Sequence, residues 1–377
     1  MSEEKKDRVD KRDYSIDLIR VIACVLVVAT HVSLQVFNEY YHEVDWSRLI
    51  EKCFFTDGVP LFFMITGFFI INGRVYKKIV KSTFFKVILP SFIYVLFAQI
   101  FYMFILNKES FVWCLKNAFV NLNLGGILES VLKADVVPIN SLCAHLWYIY
   151  SYIKIILWVP VIWLLCSEEK NPKLARRMII IFGVLGMLIV DIQKFITLPF
   201  GKIALMQYVD RELIYVLLGY ELFINRDRIK NNKKLCIGSL LGWILINIIR
   251  YKIENHYMVI NSFYNIVGRD NFLEWRYTVL NVFSGILLFI FLYSFEIKNE
   301  KLNKIIYNLS KKTFGIYLIH YLLIAKVDLY KFDKIGTLPR ELLYLALSIP
   351  ITWISSYIIV AIIQFIKERI RTIVKKA

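Results

Sequence analysis

Two ionisable residues lie inside the first long apolar run of the chain, and their spacing points them the same way. The stretch reads Asp17-Leu-Ile-Arg20-Val-Ile-Ala-Cys24-Val-Leu-Val27-Val-Ala-Thr-His31. Eleven steps of about 100° return to within about 20° of the starting direction, with a rise of about 16 Å. Asp17, Arg20, Cys24, Val27 and His31 therefore form one stripe running from the membrane edge inward. Ionisable groups inside a span are costly and usually face a bundle interior or a water-filled cavity, which makes this pair a functional candidate. The imidazole of His31 titrates near working pH, as a general base or an acyl carrier must. It equally suits a hydrogen-bonding link between helices. Arg20, a turn inside the boundary, is either part of that chemistry or a topology anchor whose side chain snorkels to the headgroups.

Four further blocks carry polar or conformationally special residues. Gly58-Val-Pro-Leu-Phe-Phe-Met-Ile-Thr66-Gly67 opens a second apolar segment with small residues that allow close helix approach or a break. Pro90 follows a basic run and reads by itself as a kink. His145-Leu-Trp147-Tyr148 begins a later segment, and Trp147 and Tyr148 read singly as interface-belt aromatics. Thr313-Phe-Gly-Ile-Tyr317-Leu-Ile-His320 places another histidine within an apolar run, either at a site or as a satisfied core residue. Together, His31, His145 and His320 outweigh chance.

The elements that must position these residues are membrane spans. Of 377 residues, 58% are hydrophobic and 16% aromatic, and the mean hydropathy is +0.56. That excludes an ordinary soluble domain and points to an all-α polytopic membrane protein. Apolar segments run over 16–37, 58–73, 84–106, 145–166, 178–197, 203–224, 235–250, 276–296, 313–329 and 341–366, predicting about ten spans. Segments 235–250 and 313–329 are short for a bilayer, and 58–73 is interrupted by Gly58, Pro60 and Gly67. The net charge of +17 is concentrated in alternate loops, a topogenic signal that places both termini in the cytoplasm and argues against nucleic-acid binding. The chain divides into a cytoplasmic segment 1–15, a transmembrane domain 16–366 and a basic cytoplasmic tail 367–377. The first apolar run has span length and no small-residue cleavage site, so it reads as an uncleaved span. In the long outer segment 107–144, residues 111–122 have the apolar spacing of an interfacial helix or of a loop helix packed on the bundle. The six cysteines show no metal-ligand spacing and are expected to be free, with Cys53–Cys114 the only pair considered for a disulfide.

The blocks together resemble the membrane acyltransferase-3 family: Arg20-x10-His31, the VPLFF-x-I-[ST]-G block from Val59 to Gly67, His145-Leu-Trp147, and the GIYLIH block from Gly315 to His320. They occur in the family's order over nearly the whole chain. Within the family the chain looks most like compact bacterial O-acetyltransferases such as that of enterobacterial common antigen. The resemblance implies a multi-pass protein of the bacterial inner membrane that transfers an acetyl (acyl) group from cytosolic acetyl-CoA to a hydroxyl of a cell-surface polysaccharide or its lipid-linked precursor. It implies that Arg20 and His31 are the essential pair, with Asp17, Thr66, Tyr317 and His320 in support, and no bound cofactor or metal. Thr66 stands where many members have serine. The basic cluster after the second span would hold the CoA phosphates through Arg74, Lys77, Lys78 and Lys86. Lysines there retain charge but lose the bidentate geometry of the family's arginines. The acceptor would approach from outside, near His145 and Trp147. A transporter or flippase of a glycan intermediate is the alternative, although no inverted repeat or paired broken spans are evident.

Overall fold

The computed structural model describes residues 12–33, 50–70, 75–106, 108–117, 141–166, 173–193, 210–263, 278–295, 297–326 and 338–374. Among these residues the structure is helical, with no strand. In an apolar solvent every backbone N–H and C=O must be satisfied within its own segment, which a helix accomplishes even for sequences rich in β-branched residues.

Helix α1 (Tyr14–Ser33) is apolar on all sides apart from its one polar stripe, and it is the central helix. One face (Ile16, Ile19, Ala23) packs into the main core, another (Cys24, Val28, Val32) into a second cluster, and Val27 into a third. Helix α2 (Gly58–Ile70) lies beside it. Gly58, Pro60 and Gly67 interrupt it in sequence, yet it packs tightly: Leu61, Phe63 and Met64 have no exposed surface at all. A Cβ on Gly67 would stand 1.8 Å from the Val216 carbonyl oxygen, and one on Gly219 would stand 2.0 Å from that of Met64. Gly67 and Gly219 thus meet at the crossing of α2 with the later helix α8 (Arg211–Ile224). Between these come α3 (Tyr76–Thr83), α4 (Leu89–Phe101), α5 (Phe111–Asn117), α6 (Trp147–Cys166) and α7 (Lys173–Gln193). A π-helical turn, Phe84–Ile88, joins α3 to α4. It sits where Pro90 has no N–H to offer the carbonyl of Lys86.

The chain continues through the single turn α9 (Arg226–Ile229), α10 (Lys233–Phe263), α11 (Val279–Tyr293), the amphipathic α12 (Glu300–Ser310), α13 (Thr313–Lys326) and α14 (Leu338–Val374). Helices overlap every apolar segment expected from sequence. By length and composition five of them suit a membrane crossing: Tyr14–Ser33, Tyr76–Phe104, Trp147–Cys166, Lys233–Asn255 and Leu342–Ile373. Three more are apolar but shorter: Cys53–Phe69, Val279–Tyr293 and Thr313–Ile324. The expectation of a short segment at 235–250 is corrected, because α10 runs on to Phe263. Arg250, Lys252 and Glu254 ended the hydropathic run without ending the helix. The apolar window of α1 is 61% buried, against 17% for the window in α10 and 22% for that in α14. Residues such as Ile237, Leu241 and Leu245 of α10 and Leu343, Leu347 and Ile351 of α14 point outward, as lipid-facing side chains do.

Of the expected interfacial helix 111–122, residues 118–122 lie outside the described ones. In α5, Cys114 is buried while Phe111, Val112, Trp113 and Leu115 are exposed. None of the six cysteines is in a disulfide.

Candidate functional site

Helices α1 and α13 run side by side in the same direction. The Cys24 thiol donates to the Thr313 carbonyl at 3.6 Å. Seven residues further along each helix, about 10 Å, His31 Nδ1 lies 2.8 Å from His320 Nε2. Two helices that advance equally between paired contacts are parallel and in register. The imidazoles stack with their centres 5.0 Å apart and their planes 27° from parallel. His320 is fully buried, and its other nitrogen, Nδ1, is 3.1 Å from the Ile316 carbonyl one turn back. Gly315 lets α14 approach α13 closely, since a Cβ there would lie 2.8 Å from Val360.

A third histidine joins them. His145 lies on a 3-10 turn, Ser141–Leu146, that leads into α6. The Tyr317 hydroxyl donates to the His145 carbonyl, tying that turn to α13. The His145 ring centre is 5.3 Å from that of His320 and 6.1 Å from that of His31, and the ring stacks on Tyr321 at 4.8 Å. His145 is 1% exposed, and among the described residues no side chain hydrogen-bonds its ring nitrogens. The aromatic shell is completed by Tyr94, at 5.6 Å from His145, and Tyr317, at 5.3 Å.

At the other end of α1, Asp17 is buried and accepts four hydrogen bonds. Arg12 grips it with Nε at 2.7 Å and Nη2 at 2.9 Å, Ser310 reaches it at 2.8 Å and Arg20 at 3.1 Å. Those hydrogen bonds hold the Arg12 guanidinium above its ordinary range. Arg20 is held by one nitrogen, and its side chain is 29% exposed. Tyr148 and Tyr152 lie within electrostatic range of it. Tyr148 in turn packs on Tyr317 at 5.7 Å and Phe63 at 5.0 Å. A line of aromatic rings therefore connects the surroundings of Arg20 to the histidines.

The structure thus brings His31, His320, His145 and Tyr317 together and places Asp17 beside Arg20. Trp147 is half-buried at the start of α6. The Thr66 hydroxyl donates back to the Phe62 carbonyl of its own helix at 3.0 Å. Lys77, Lys78 and Lys86 are exposed on the rod formed by α3 and the π turn, and Arg74 lies outside the described residues. Sequence reasoning passed over Tyr94 and Tyr321, although Tyr321 directly follows His320. It took Tyr148 for an interface aromatic, whereas the ring faces the interior.

Sequence reasoning also missed a second buried ionic cluster. Asp57 accepts from Trp243 at 2.9 Å, Asn281 at 2.9 Å, Ser284 at 2.6 Å and Arg250 at 3.5 Å. Arg250 also donates to Asn247 at 3.0 Å and to the Thr56 hydroxyl. An arginine inside a span is a signal of the same kind as Arg20, and it went unread because the segment was ended at that residue.

A family model described as an acyltransferase domain matches residues 13–357. No curated protein matches the chain, and neither does any solved structure.

Proposed function

The chain belongs to the membrane acyltransferase-3 family, and from that premise we propose that it moves an acetyl group from cytosolic acetyl-CoA to a hydroxyl of a cell-surface polysaccharide or its lipid-linked precursor. The observation that carries this reading is the two-ended design of α1. Arg20, oriented by Asp17, stands near one end, and His31 stands about 16 Å away within a cluster of histidines. That separation is comparable to the reach of a pantetheine arm. Exposed Lys77, Lys78 and Lys86 offer cations to the CoA phosphates as point charges. Arg20 then orients CoA near its phosphate end, a pantetheine length from the thioester held at His31.

His31 has two roles consistent with this placement. As a general base it takes the proton of the acceptor hydroxyl while the oxygen bonds to the acyl carbon, the C–S bond breaks and CoA leaves as thiolate. As a carrier it first forms the N–acyl bond itself, and the acceptor oxygen displaces it. The buried His145 imidazole, beside His31 and His320, suits contact with an acceptor hydroxyl. We read ten crossings of the bacterial inner membrane with both termini cytoplasmic, supported by the basic character of alternate loops. The compact O-acetyltransferase of enterobacterial common antigen is the kind of enzyme this describes.

The test is transfer of label from [14C]acetyl-CoA to glycan in membranes containing the protein. The expected result is incorporation that His31→Ala eliminates. Glycan that crosses the membrane unlabelled would indicate a transporter or flippase instead.

A further inference from the structure

The hydrogen bonds around His320 determine which nitrogen of His31 can react. A backbone carbonyl has no proton to give, so at 3.1 Å from the Ile316 oxygen the Nδ1 of His320 must be the donor. In the neutral ring, its single proton is then committed to that bond, and Nε2 presents a lone pair. That lone pair faces His31 Nδ1 at 2.8 Å. The proton between the rings must therefore belong to His31 Nδ1, and in neutral His31 the lone pair lies on Nε2.

We propose that His320 is a positioning residue that locks His31 into this tautomer, so that the transfer runs through His31 Nε2. The proposal rests on the acyltransferase reading above and adds the reacting atom to it. In the base route the acceptor O–H breaks and its proton goes to Nε2; the oxygen bonds to the acyl carbon as the C–S bond breaks, and the thiolate leaves and receives that proton. In the carrier route Nε2 forms the bond to the acyl carbon and CoA leaves as thiolate. The acceptor oxygen then takes the acyl group, its proton goes to the thiolate, and Nε2 regains its lone pair. Throughout both, Nδ1–H stays on His320, which shares the positive charge of the His31 ring. The register of α1 and α13, set at Cys24 and Thr313, holds the two rings in line.

The proposal is tested with His320→Leu and His320→Gln in membranes supplied with [14C]acetyl-CoA. Leucine fills the site without an acceptor, whereas the glutamine carbonyl oxygen reaches the position of Nε2 and accepts the same proton. The expected result for His320→Leu is a fall in kcat of about 100-fold, as for a misplaced or wrongly protonated base, with the KM for acetyl-CoA within about twofold of wild type. His320→Gln should recover to within about tenfold of wild type. Equal activity of His320→Leu and wild type overturns the proposal. So does a His320→Gln protein that elutes as a folded species yet is as inactive as His320→Leu, or below about 1% of wild type if the leucine variant does not fold. Failure of the underlying reading looks different: wild-type membranes transfer no label, or His31→Ala keeps full activity.

Discussion

The histidine cluster and the Asp57 cluster are neighbours built on opposite rules. The Thr30 hydroxyl, one residue before His31, reaches the Phe55 carbonyl at 3.2 Å, two residues before Asp57. Asp57, Arg250, Asn281 and Ser284 are all 0% exposed, and both Asp57 oxygens accept two hydrogen bonds each. The Asp57 carboxylate has no acceptor capacity left for a ligand; it ties the entrance of α2 to α10 and α11. In the histidine cluster His145 is as deeply buried, yet among the described residues no side chain hydrogen-bonds its ring nitrogens. Burial alone therefore does not distinguish site from scaffold. The company of the polar atoms does: the Asp57 oxygens are saturated by four donors, whereas the imidazoles meet one another and a shell of tyrosines.

The contrast can be broken most directly at His31. His31→Ala should lower acetyl transfer by about 10²–10⁴-fold, the contribution of a positioned base, while the protein still elutes from a sizing column as folded. A variant that unfolds instead would make the histidine cluster scaffold as well. The inverse experiment is Asp57→Ala, which leaves Arg250 buried without its carboxylate. It should cost about 3–5 kcal/mol in denaturant unfolding, while the folded fraction keeps the wild-type KM for acetyl-CoA. A KM that rises strongly would move Asp57 into the site.

Smaller effects sharpen the same division. Gly67→Ala forces a methyl against the Val216 carbonyl and should cost about 1–3 kcal/mol of stability, as overpacking does. Arg20→Lys keeps the charge but loses the planar fork, and should raise the KM for acetyl-CoA about tenfold with little change in the unfolding midpoint. Replacing Lys77, Lys78 and Lys86 together by alanine should raise that KM only a few-fold, and added salt should diminish the difference, because exposed charges are screened over about 8–10 Å. A salt-independent effect would argue for desolvated, specific phosphate contacts.

Much of the site was legible where one helix carries it. The Arg20–His31 stripe follows from helical periodicity, and its cost in a bilayer marked it without any knowledge of neighbours. The glycines of α2 announced close packing, though not that Gly219 would be the counterpart. The Asp57–Arg250 pair was not legible, because its partners lie 193 residues apart in sequence and a hydropathic window treats a buried arginine as an end. His145 was expected near the outer rim, where its place before a span suggested an interface. The 3-10 turn and the Tyr317 hydroxyl bring it inward.

The sequence by itself determined that the chain is helical and membrane-embedded, and which residues on α1 share a face. Local geometry and the energy of transfer from water depend only on residue type and spacing. Only the tertiary structure decided which polar residues satisfy one another. It set Asp17 against Arg12, Arg20 and Ser310, closed Asp57 with donors from α10 and α11, and placed His31 2.8 Å from His320. Hydrogen bonds form over distances of about 3 Å, so they depend on the register between helices, and no single helix contains that information.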